Sequence, residues 1–250
     1  MPLACQKAVK RVDFDTRPDV VKPVEMVVVV DTSGSMHMFS PKIILNSINQ
    51  LIDNQKKTSP TTTLSFLTFN KVIKTIYDRI PITDIPDIVE TDLTPQYTTS
   101  LYDAFSQGLD ILDKSTESSK ILLIITDGLE NTSTTTRPQI IKKIKDSISE
   151  GTLIKFLGGG QNAVVIGLQM GIAEDCCLSF SNDNYGLGGA VLSASKSLAR
   201  HTLGQCHSFT PLERINSKSN EPKGLVRVPA VSPHVPGGMG GGLPRVPTLT

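Results

Sequence analysis

At 250 residues and 38% hydrophobic content, the chain holds enough apolar material for one core-bearing domain with extensions. Its formal net charge of +1 leaves no footprint for nucleic acid, because the longest basic run, Lys142-Lys143-Ile144-Lys145, sits on a predicted helix as its solvated face. No stretch approaches the roughly 18 consecutive apolar residues of a membrane span, and the opening MPLACQKAVKRVDFD lacks the apolar core, roughly 7 to 15 residues long, of a secretory signal. The expected location is therefore cytoplasmic.

Residues 1 to 24 mix charge and proline without periodicity and read as a leader. The unbroken apolar run over residues 26 to 30 predicts a central parallel strand covered on both faces. It delivers Asp31-Thr32-Ser33-Gly34-Ser35 to the carboxyl edge of the sheet. Asp31, Ser33 and Ser35 are hard oxygen donors two residues apart, and a tight loop loosened by Gly34 can turn them toward one point. Oxygen-only ligation of this kind favours Mg²⁺ or Mn²⁺ over zinc or copper. Ser40-Pro41 opens a helix, Ser as cap and Pro in the first turn, with Ile44, Ile48, Leu51 and Ile52 as its buried stripe.

Residues 62 to 69 and 72 to 77 predict a strand pair turning at Asn70-Lys71, antiparallel at one sheet edge. Pro81, Pro86 and Pro95 punctuate the loop that follows. Ser100-x-x-Asp103 has the form of a capping box, which accounts for Asp103 without making it a ligand, and Leu101, Phe105 and Leu112 share one side of the helix it opens. Residues 121 to 126 are a second buried strand ending at Asp127. Pro138 near a helix start, the stripe Ile140, Ile141, Ile144 and Ile148, and a stop at Gly151 complete a strand-helix unit. A third parallel strand over 152 to 157, a helix over 162 to 170, a short strand over 177 to 180 and a helix over 190 to 200 finish the domain. The implied architecture is α/β: a doubly wound, mostly parallel open sheet flanked by helices, with one antiparallel edge strand. Ligands of such sheets bind outside the carboxyl ends of the strands, where strand order reverses.

Three of these segments together resemble the von Willebrand factor A family. Asp31, Ser33 and Ser35 match Asp-x-Ser-x-Ser, the opening segment of its metal-ion-dependent adhesion site; Thr99 in Tyr-Thr-Thr-Ser-Leu-Tyr-Asp-Ala matches the threonine ahead of a helix; Asp127 in Ile-Ile-Thr-Asp-Gly-Leu-Glu-Asn matches the aspartate after a later strand. Many relatives carry Gly-Gly-Thr-Pro at the middle segment, where this chain has Tyr97-Thr98-Thr99-Ser100. Spacing to Leu101 and Ala104 favours Thr99 over Thr98. The resemblance spans residues 25 to 205, a Rossmann-like domain of the soluble intracellular branch of the family. It implies that Ser33, Ser35 and Thr99 hold Mg²⁺ or Mn²⁺ directly or nearly so, that Asp31 and Asp127 act largely through bound water, and that the ion captures an Asp or Glu side chain of a protein partner. Neutral hydroxyls next to the ion leave much of its charge for an incoming carboxylate.

Residues 158 to 163, Gly-Gly-Gly-Gln-Asn-Ala, compete with that reading by matching the Gly-x-Gly-x-x-Ala form of a dinucleotide fingerprint. Glu174 and Asp175 come early for the ribose acid, and the remaining chain is short for the second half of such a fold. A metal-dependent hydrolase using Asp31 and Asp127 is the other enzymatic alternative. No Gly-x-x-x-x-Gly-Lys loop, Gly-x-Ser-x-Gly elbow or His-Glu-x-x-His pair is present, His37 near the metal loop reads as solvent-facing, and the expectation is a binding module rather than an enzyme. Cys5, Cys176, Cys177 and Cys206 lack zinc spacing. Asn131-Thr132-Ser133 matches a glycosylation acceptor and reads instead as a polar loop beside the metal site. Residues 206 to 250 form a Pro/Gly-rich flexible tail, with polyproline-like spacings at Pro233-His234-Val235-Pro236 and Pro244-Arg245-Val246-Pro247.

Overall fold

The computed structural model describes residues 23–93, 98–160 and 162–218. The expectations for the leader up to residue 22, and for the polyproline spacings, lie outside the described residues. Strand β1 (Val24–Asp31) is buried along its whole length, as an apolar run must be to remain out of water on both faces. Helix α1 (Pro41–Thr58) leads to β2 (Thr62–Phe69) and the antiparallel β3 (Ile73–Pro81). Then come α2 (Leu101–Asp113), β4 (Ser119–Thr126), α3 (Arg137–Ser149), β5 (Leu153–Gly159), α4 (Ala163–Met170), β6 (Cys177–Phe180), α5 (Asn184–Thr202) and α6 (Pro211–Asn216).

The sheet order is β3-β2-β1-β4-β5-β6, with every neighbouring pair parallel except β2 and β3. Helices α2, α3 and α4 pack on one face, and α1 and α5 pack together on the other. Strand order reverses between β1 and β4, so the carboxyl ends of these two neighbours open into the crevice where such folds bind ligands. Phe105 of α2 meets Phe156 of β5 with ring centroids 5.8 Å apart. Gly108 lets α2 lie close over the sheet: a Cβ there would stand 2.7 Å from Leu122 Cδ1. Among the described residues no helix is long and apolar enough to cross a membrane.

Several local expectations change. Ser40 holds the cap position of α1, yet its hydroxyl makes no capping bond, and its own amide donates to Asn184 Oδ1 at 2.8 Å. Ser100 likewise makes no side-chain cap on α2. Asp103 instead accepts from the amides of Thr134 and Thr135, both at 2.8 Å, so the capping-box reading gives way to a tie between α2 and the loop after β4. Ile148 is exposed and Ser147 takes the buried position on α3. Gly151 stops that helix at φ +95° as expected. Helix α5 begins at Asn184, six residues before the predicted start, because Asp183 caps it through the Gly186 amide at 2.7 Å. The packed chain continues past residue 205: Phe209 is buried, and α6 opens with a capping box of Thr210 and Glu213. Arg200 holds Glu213 through two bonds of 2.8 and 2.9 Å.

Candidate metal centre

Parallel pairing of β1 and β4 brings Val30 opposite Ile125, so the next residues, Asp31 and Thr126, emerge side by side. Asp31 is only 1% exposed. Its Oδ1 accepts the Ser33 amide at 2.6 Å, bending the chain back after the strand, and its Oδ2 accepts the Thr126 hydroxyl at 2.5 Å. Burial pushes the Asp31 carboxyl up to about 6 despite these donors, and the charge of Asp127 pushes the same way. Asp127 is also raised, again chiefly by burial.

The residues named from the sequence converge. Ser33 Oγ and Ser35 Oγ lie 3.0 Å apart, and Ser35 Oγ donates to Asp127 Oδ1 at 2.5 Å across 92 residues of chain. Gly128 joins the remaining members, since a Cβ added there would stand 2.7 Å from Thr99 Oγ1 and 3.2 Å from Asp31 Oδ2. Two carboxylates and three hydroxyls thus meet at the carboxyl edge of the sheet. Carboxylates and hydroxyls are hard oxygen donors, and among the described residues no three His, Cys, Asp or Glu side chains gather as a metal site. Its fit to a cation rests on one atom above all: Asp127 Oδ2 is buried and has no hydrogen-bond partner among the described residues. A buried carboxylate oxygen without a donor is costly unless a positive charge meets it.

The groups that hold these donors lie outside the matched positions of the sequence motifs. Thr126 reads as the last residue of a buried strand, yet its hydroxyl serves Asp31 and also accepts the Gly128 amide at 3.0 Å. Asn70 Nδ2 donates to Thr32 Oγ1 at 3.1 Å, and the Asn70 carbonyl accepts the Ser100 amide at 2.8 Å, linking the β2–β3 turn to both site loops. Glu130 accepts the Tyr102 amide at 2.9 Å and so caps α2 from outside that helix. Asn131, expected as a polar loop residue, accepts the Thr99 amide at 3.0 Å and donates its own amide to the Thr99 carbonyl at 3.1 Å. Its sequence signal was a polar Asn131-Thr132-Ser133 stretch four residues after Asp127.

The glycine run that ends β5 serves packing against this centre. A Cβ at Gly159 would stand 2.9 Å from Asp127 Cβ and also against the Phe180 ring, while the open side of Gly160 at φ +58° is filled by Asn182. Asn162 caps α4 by accepting the Val165 amide at 3.2 Å. His37 is exposed in the turn Gly34–Met38.

Comparison with known proteins follows the same lines. Residues 25–184 match the profile of the von Willebrand factor type A domain. No curated protein matches in sequence. Among solved structures, the pilus adhesin SpaC from Lactobacillus rhamnosus GG is similar at a TM-score of 0.59 and 13% identity, covering 72% of this chain and 30% of that one. The vWF domain of the type V pili tip protein Mfa5 from Porphyromonas gingivalis gives 0.57 at 11% identity, covering 72% and 96%. Proximal thread matrix protein 1 from the mussel byssus, in a structure described as having a zinc-occupied MIDAS motif, gives 0.55 at 15% identity, covering 71% and 46%. At these identities the likeness is one of fold, and the chain spans less than a third of the SpaC chain.

Proposed function

Because the chain belongs to the von Willebrand factor type A domain family, we propose that its centre holds Mg²⁺ or Mn²⁺ and, through that ion, captures an Asp or Glu side chain of a protein partner. The observation that carries this reading is the buried Asp127 Oδ2, unpartnered among the described residues, beside a second desolvated carboxylate and three converging hydroxyls. When bound, the cation supplies positive charge and an exchangeable coordination position. Ser33, Ser35 and Thr99 present neutral oxygens toward it, and Asp31 and Asp127 hold negative charge around it. Thr126 and the Ser33 amide fix the Asp31 carboxylate so that it cannot swing to chelate freely.

A binding role is supported further by how the hydroxyls are engaged. Ser33 and Ser35 bond to each other, and Ser35 to Asp127, which gathers these oxygens at one point as a ligand set. The similarity to a protein described with a zinc-occupied motif makes zinc the natural competitor in any assay, while an all-oxygen set favours Mg²⁺ or Mn²⁺. Water-proton relaxation in the Mn²⁺-loaded protein tests carboxylate capture. Adding Ac-Gly-Asp-Gly-NH₂ is expected to lower relaxivity by displacing metal-bound water, and Ac-Gly-Asn-Gly-NH₂ is expected to leave it unchanged. Equal responses to the two peptides would contradict the proposal.

A further inference from the structure

Resting on the cation reading above, we infer that Asn131 is a positioning residue of the centre, which sets the Thr99 hydroxyl by bracketing the Thr99 backbone on both sides. Thr99 precedes α2, outside any strand or helix, so neither a ladder nor a helical bond of its own segment fixes it. Its amide donates to Asn131 Oδ1 at 3.0 Å and its carbonyl accepts the Asn131 amide at 3.1 Å, a closed pair spanning 32 residues. The same loop reinforces the docking: Glu130 Oε2 accepts the Tyr102 amide at 2.9 Å, Ser133 Oγ accepts the Asp103 amide at 3.1 Å, and Thr132 Oγ1 lies 2.8 Å from Ser100 Oγ. Asp127 begins this loop, so the segment that carries one carboxylate also carries the clamp on the third hydroxyl.

Thr99 and Asp127 form one mechanical unit through Asn131, whereas Ser33 and Ser35 reach that unit through the Ser35–Asp127 bond. Groups that orient a ligand from outside its first coordination sphere change metal affinity by roughly 10- to 100-fold when removed. Asn131→Ala removes the acceptor for the Thr99 amide and leaves all five donor side chains in the chain. Asn131→Asp retains an acceptor oxygen at that position. Thr134→Ala, in the same loop, removes only a hydroxyl that contacts Asp103 at 3.3 Å.

The test is Mn²⁺ affinity by calorimetry on the full chain, with the melting temperature of the metal-free protein and the hydrogen-exchange rate of the Thr99 amide measured alongside. The expected result is an affinity loss of about 10-fold or more in Asn131→Ala, faster exchange at Thr99, and near-wild-type affinity in Asn131→Asp and Thr134→Ala. Wild-type affinity in Asn131→Ala overturns the inference and leaves the cation reading standing. An equal loss in Thr134→Ala also overturns it, because loosening of the loop would then be the cause. Failure of the wild type to bind Mn²⁺ overturns both.

Discussion

Asp31 Oδ2 accepts a hydrogen bond from the Thr126 hydroxyl at 2.5 Å, in a place where β1 has already removed the carboxylate from water. Replacing Thr126 by valine keeps the shape and deletes the donor. A buried acceptor left unsatisfied costs about 1–3 kcal/mol, so urea unfolding of metal-free Thr126→Val is expected to show a loss of that order, and an unchanged midpoint would contradict the role assigned to the hydroxyl. The five side chains that converge were legible because each sits in a short motif: Asp31, Ser33 and Ser35 within five residues, Thr99 just before a helix, Asp127 just after a strand. Thr126, Glu130 and Asn131 were not. Their partners lie 95, 28 and 32 residues away, and nothing local distinguishes a strand-end threonine or a loop asparagine that holds a distant backbone from one that faces solvent.

At the scale of elements, the carboxyl-terminal part of the described chain is tied to the sheet by polar groups in an otherwise apolar interior. Lys155 of β5 is fully buried, donates to the His207 carbonyl at 2.7 Å and lies 4.5 Å above the Phe209 ring. Its basicity is lowered, first by burial. His201 of α5 stands edge-on to His207, with centroids 5.2 Å apart, and approaches Ser119 Oγ at 3.4 Å. Burial, with His207 and Lys155 adding positive charge nearby, pushes His201 down to about 4. His207 is lowered as well, first by burial and then by Lys155, against the opposing effects of Asp175 and a backbone hydrogen bond. A histidine kept neutral in the fold contributes stability above its ordinary value near 6.5, and that contribution is lost as the pH falls from there toward about 4. Thermal melts between pH 7 and 4.5 are expected to show a declining melting temperature, with a shallower decline in His201→Gln. Parallel curves would contradict this account. The strap was hidden in the sequence because Lys155 interrupts an apolar strand without announcing a partner, and α6 has only six residues to display periodicity.

The whole molecule follows from alternation: buried strands followed by amphipathic helices left a doubly wound sheet as the packing that covers both faces, and β3 closes one edge by antiparallel pairing. That much was legible, down to the placement of Asp31 and Asp127 at the carboxyl ends of buried parallel strands. The order that makes β1 and β4 neighbours is a long-range fact, and it is what turns two separate loop motifs into one centre. Fold likeness to SpaC, Mfa5 and the byssus protein at 11–15% identity is a likeness of this architecture. The measurement that tests the central claim most directly is calorimetric titration of Mn²⁺ into chelator-stripped protein beside the Ser33→Ala/Ser35→Ala variant. Saturable binding of a single ion per chain, lost in the variant, is the predicted result. No binding to the wild type, or equal binding to both proteins, would contradict the claim that these hydroxyls and carboxylates are assembled to hold a cation.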